Sequence, residues 1–79
     1  MGMLKVDGIG WPAQCIEAEH PMEAAAKFAQ NNNIYGKLKD NGGREFVCVV
    51  SAYYEVTEFM LEIINGNRRL TQLGDTYDF

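Results

Sequence analysis

Glu55-Val56-Thr57-Glu58-Phe59-Met60-Leu61-Glu62-Ile63-Ile64 decides how this chain folds, because it satisfies two periodicities. Val56, Phe59, Met60, Ile63 and Ile64 fit a helical stripe. Thr57, Phe59, Leu61 and Ile63 instead fit one face of a strand, with Glu58, Met60 and Glu62 on the other. Three features select the strand. No good N-cap residue precedes position 55, β-branched and aromatic side chains are frequent, and Asn65-Gly66-Asn67 is a hairpin signal leading into Arg68-Arg69-Leu70-Thr71-Gln72-Leu73. The reading is a strand over 56–64 paired with one over 68–73.

Upstream, Glu45-Phe46-Val47-Cys48-Val49-Val50-Ser51 is apolar on both faces and reads as a central strand. Asp40-Asn41-Gly42-Gly43 before it is a turn signal, and it lacks the alternating ligands and closing glutamate of a calcium loop. Ile34–Lys39 reads as a short strand. Between 21 and about 31 the composition is helical. Pro21 suits the first turn, Glu23 meets the positive end of the helix dipole, and Ala24 or Ala25, Phe28 and Ala29 form a narrow apolar stripe. Asn31-Asn32-Asn33 ends the helix. Ala13–Glu19 alternates, with Gln14, Ile16 and Ala18 on one face and Cys15, Glu17 and Glu19 on the other. A short strand over 3–6 is joined to it through Gly8-Ile9-Gly10-Trp11-Pro12, where Trp11 is either a lid on the core or an anchor for a partner. Gly74–Phe79 reads as a loosely held tail.

The fold class predicted is α+β, one helix packed on an antiparallel sheet of four to five strands in β-α-β-β-β-β order, as a single domain. Phe59, Leu61 and Ile63 are expected beneath the helix with Phe46, Cys48, Val50, Ile16 and Ala18. The opposite face is expected to collect Glu17, Glu19, Glu58 and Glu62, interrupted by Val47, Val49 and Met60.

The chain has 79 residues, with 7 basic and 11 acidic side chains and a net charge of −4. So small a domain has a thin core and little room for a deep cleft. The acidic balance argues against direct nucleic-acid binding, for which only Lys37, Lys39 and Arg44, or Arg68 and Arg69, would supply a basic patch. It favours a protein partner with a basic surface. No run approaches the roughly 20 apolar residues of a membrane span, and no secretory signal opens the chain, so a cytoplasmic location is expected. Met1-Gly2 ahead of Met3 reads as an added extension. Cys15 and Cys48 have no CxxC spacing and suit two buried free thiols. Phosphate-loop, nucleophile-elbow, dinucleotide and zinc motifs are missing, so neither catalysis, a cofactor nor a metal is expected. The lone histidine, His20, is read as a cap or turn residue.

An outward sheet face carrying Glu17, Glu19, Glu58 and Glu62 around Met60, together with the Tyr53-Tyr54 turn, is the expected docking surface, since apolar area supplies binding energy while charge sets association rate. The alternative is an accessory subunit that forms a homodimer through an exposed edge at 68–73. His20-Pro21-Met22-Glu23-Ala24-Ala25-Ala26-Lys27-Phe28 and Val56-Thr57-Glu58-Phe59 give the stretch 13–73 a layout that resembles small acidic proteins of phages and mobile elements, the anti-CRISPR inhibitors among them. The resemblance implies occupation of a basic nucleic-acid-binding surface of a bacterial defence complex and transfers no site residue.

Overall fold

The computed structural model describes residues 2–8, 10–41 and 43–78. Its elements run β1 (Gly2–Gly8), β2 (Trp11–Ala18), α1 (Pro21–Asn31), α2 (Ile34–Asn41), β3 (Arg44–Val50), β4 (Glu55–Ile64), β5 (Asn67–Gln72) and β6 (Tyr77–Asp78). All ladders are antiparallel, in the order β2-β1-β3-β4-β5, and β6 pairs with the start of β4. The α+β class and the antiparallel sheet agree with the expectation. The strand read over 3–6 is present as β1 and forms a hairpin with β2, so the order departs from β-α-β-β-β-β in having two strands ahead of the helices and two helices rather than one.

The second helix replaces the strand expected over Ile34–Lys39. That segment alternates, but Ile34 and Leu38 also stand at i and i+4, and both are buried. Burying that pair against the sheet needs a helical turn. Asn33, at φ 51°, breaks α1 from α2, and its carbonyl accepts from the Lys37 N–H at 3.3 Å, opening the new helix. The expected turn at 40–43 is occupied up to Asn41 by that helix; Gly42 lies outside the described residues.

At the other end of α1, His20 is the N-cap in extended conformation, and its side chain makes no capping bond. Glu23 instead reaches back from inside the helix. Its Oε1 accepts the Glu19 N–H at 2.8 Å, a capping-box contact reaching one residue further out.

Both helices lie on one face of the sheet. Beneath them sit Leu4 and Val6 of β1, Ile16 and Ala18 of β2, Val47 and Val49 of β3, and Phe59 and Leu61 of β4, packed against Ala24, Ala25, Phe28 and Ala29. The alanines let α1 approach closely, and Phe28, fully buried, fills the space beside Gly8. A Cβ on Gly8 would lie 3.1 Å from the Trp11 ring and 3.3 Å from that of Phe28. Trp11 is thus packed on the core edge, with Lys37 Nζ 4.6 Å from the centre of its ring.

The parity of β3 is opposite to that expected. Phe46, Cys48 and Val50 face away from the helices, and Val47 and Val49 face them. The cause is the β3–β4 connection. Ser51 N–H donates to the Glu55 carbonyl, Tyr54 N–H donates to the Ser51 carbonyl, and Tyr54 takes a φ of 60°. This is a three-residue loop closed by a left-handed residue. It pairs Val50 with Val56, and hence Val47 with Phe59 and Phe46 with Met60. A loop one residue shorter would set Phe46 against Phe59, inward.

The tail is also tied down rather than loose. Tyr77 and Asp78 pair with Val56 and Glu55, and the Thr57 and Thr76 hydroxyls are hydrogen-bonded at 2.7 Å. Phe79 lies outside the described residues.

Candidate functional site

The sheet face that carries no helix is assembled in cross-strand rows. Registers through β1, β3 and β4 place Asp7, Cys48 and Glu58 side by side in one row. The next row holds Phe46, Met60 and Thr71, and the one beyond it Arg44, Glu62 and Arg69. In the other direction from Cys48 come Lys5, Val50, Val56 and Tyr77.

Its centre is apolar and open to solvent. Phe46 is 48% exposed although it stands in a central strand, and Met60 beside it and Cys48 are half-buried. Val56 is buried on this face, and its β6 partner Tyr77 is 49% exposed. Beside Phe46 a shallow depression of about 310 Å³ is lined by Asp7, Gly8, Cys48 and Glu58.

The charges are not one acidic field. Glu62 pairs with Arg44, Nε to Oε2 3.4 Å, and has Arg69 as its β5 neighbour, so this end of the face is net positive. Glu17, in β2 opposite Met3, faces outward but lies three strand spacings across the sheet and four residues along it from Glu58, about 19 Å away. Glu19 lies past the end of β2, engaged through its N–H with Glu23. The expected cluster Glu17, Glu19, Glu58 and Glu62 is therefore dispersed, with Glu58 and Glu62 flanking Met60 along β4. Tyr53 and Tyr54 are 84% and 69% exposed in the β3–β4 loop, at the end of the sheet remote from Glu62.

Asp7, which the expectation missed, joins Glu58, which it placed outward, as the acidic spot, and Phe46 is the apolar anchor it placed inside. Phe46 follows from β3 parity, which a run apolar on both faces leaves undetermined. Asp7 follows from the β1–β3 ladder, a contact between distant segments that local periodicity does not report.

Burial raises the Cys48 thiol above its ordinary value of 9.0, and the carboxylates of Glu58 and then Asp7 push it further the same way. The thiol is therefore held protonated near neutral pH, which removes the nucleophilic form. Tyr77 donates its hydroxyl to Glu58 Oε1 at 3.3 Å. Cys15, on the outer face of β2, is exposed and distant. Among the described residues, no three His, Cys, Asp or Glu side chains converge on a point where a metal would sit. Among the described residues, no helix is long and apolar enough to cross a membrane.

No family model, curated protein or solved structure matches the chain.

Proposed function

We propose that the chain is a non-enzymatic protein-binding module that docks its helix-free sheet face onto a basic protein surface. The observation carrying this reading is the exposed Phe46–Met60 pair lying next to the Asp7–Cys48–Glu58 row. A half-exposed phenylalanine in a central strand leaves about half of its ring outside the core and offers that apolar area to a partner. The two carboxylates beside it select a cationic neighbour and speed encounter with it. The protonated thiol between them adds apolar surface and no reactivity. A nucleic-acid-binding groove of a bacterial defence complex, the target implied by the likeness to phage inhibitors, would supply the basic side chains that this face selects. In this reading the protein acts by occupying such a groove.

The test uses 15N-labelled protein and a capped nonapeptide alternating lysine and leucine. Amide shifts concentrated at Phe46, Cys48, Glu58 and Met60 are expected. Asp7→Lys with Glu58→Lys should slow association and flatten its salt dependence, and Phe46→Ala should speed dissociation. Shifts confined to the helices, or kinetics indifferent to all three substitutions, would reject the surface.

A further inference from the structure

The two edges of the sheet are treated differently. β2 is shielded: Pro12 carries no N–H, Lys27 Nζ donates to the Glu17 carbonyl at 2.7 Å, and the Gln14 side chain is engaged by Asn32. β5, at the other end of the strand order, has no strand beyond it, and of its residues only Leu70 is more than marginally buried. Three adjoining hollows meet along it, and Arg68 lines all three. The largest, about 570 Å³, has Leu70 and Ala29 for walls and Tyr35 with Arg68 at one end. Lys39 lines the second and Arg69 the third. Among the described lining residues there is no carboxylate. A protein of net charge −4 thus gathers Lys39, Arg68 and Arg69 at one unprotected edge, and among the described residues none of the three is in an ion pair.

Arg68 is further held in place. Its guanidinium lies 5.5 Å from the centre of the Tyr35 ring, and the Tyr35 hydroxyl donates to the Arg69 carbonyl at 3.1 Å. A cation stacked on a ring that is itself tethered to the strand is a preorganised partner for a carboxylate.

We infer that the β5 edge accepts an extended acidic peptide segment of a partner as an additional strand. Side chains of an added strand alternate between faces in step with those of β5. Consecutive carboxylates would meet Arg68 on the helix side and Arg69 on the outer side, and the following apolar residue would lie opposite Leu70, over the large hollow. The backbone ladder supplies the binding and the two arginines the selection. A second copy of β5 is the wrong occupant, because it would bring four guanidinium groups and no carboxylate into one short ladder. This edge is distinct from the Phe46 face and calls for a partner of opposite charge, so the two readings stand or fall separately.

The probe is a capped octapeptide with the core Val-Glu-Glu-Val, titrated into 15N-labelled protein. Expected are amide shifts at Arg68, Leu70 and Gln72, at least a tenfold weakening in Arg68→Glu with Arg69→Glu, and a similar weakening when peptide nitrogens facing β5 are N-methylated. The peptide-side change leaves the protein untouched, so misfolding cannot mimic the result. Equal binding by the N-methylated peptide, tighter binding of a ten-residue oligothymidylate at the same amides, shifts at Phe46 and Met60 instead, or a concentration-dependent dimer that the Arg68→Glu, Arg69→Glu protein no longer forms would each overturn it.

Discussion

Val47→Ala and Phe46→Ala, compared side by side, test the parity of β3 on which the exposed face depends. Val47 is 1% exposed and pairs with Phe59 beneath the helices. Removing its two methyl groups forfeits roughly 0.8 kcal/mol of transfer energy for each, and the cavity left behind brings the loss to about 2–3 kcal/mol. Phe46 is 48% exposed, so deleting a much larger side chain removes about half of the ~3 kcal/mol that a fully buried ring supplies, and no cavity forms; the loss is about 1.5 kcal/mol. The smaller truncation therefore costs more. In urea, with a slope of about 1 kcal/mol/M for a domain of this size, the midpoint should fall by about 2–3 M for Val47→Ala and by about 1.5 M for Phe46→Ala. Equal losses, or a larger one for Phe46→Ala, would mean that the ring is in the core and that the docking surface has been assigned to the wrong side chains.

Two further outcomes follow from the tail and the thiol. Thr76→Ala leaves the Thr57 hydroxyl, on a residue 2% exposed, without its partner, so stability should fall by about 1–3 kcal/mol and the Tyr77 and Asp78 amides should exchange freely; a loss below a few tenths would dismiss the anchor. In a Cys15→Ser background, alkylation of Cys48 in the folded protein should rise at higher pH than in urea, and Glu58→Gln should move the onset back down. Because the folded thiol holds its proton more tightly, its contribution to stability is complete below the unfolded value of 9.0 and is lost as pH rises through the folded one. An onset unmoved by Glu58→Gln would remove that carboxylate from the thiol's surroundings.

Much of this arrangement was readable residue by residue. The stripe Ala24, Ala25, Phe28 and Ala29 announced α1, and Asn65-Gly66 announced the β4–β5 turn that decided 55–64 in favour of a strand. Two places resisted for identifiable reasons. Ile34–Lys39 is so short that alternation and an i, i+4 pair coexist, and packing against β4 selected the helix. Phe46–Val50 is apolar at every position, so its facing was settled by the number of residues in a loop. That count moved Phe46 from interior to surface and rearranged the candidate site with it. Glu58, Glu62 and Met60 were placed outward correctly because β4 alternates cleanly. What surrounds them, Arg44 against Glu62 and Asp7 near Glu58, depends on cross-strand register.

The β1–β3 ladder runs over only four residue pairs, Lys5–Val50 to Gly8–Val47, yet it joins two blocks that are otherwise built from neighbours in the chain. One block is the first hairpin with α1; the other is the meander from Arg44 to Gln72 with the tail laid against it. Of the ladders in the sheet this one spans the longest stretch of chain, so closing it carries the largest loop-closure entropy. The Asp7–Cys48 pair belongs to that seam, so the acidic spot exists only once the halves have met. Any recognition through it would thereby be restricted to the finished molecule: a nascent chain carrying only the first block, or a fragment nicked between α2 and β3 whose pieces have separated, presents no such surface.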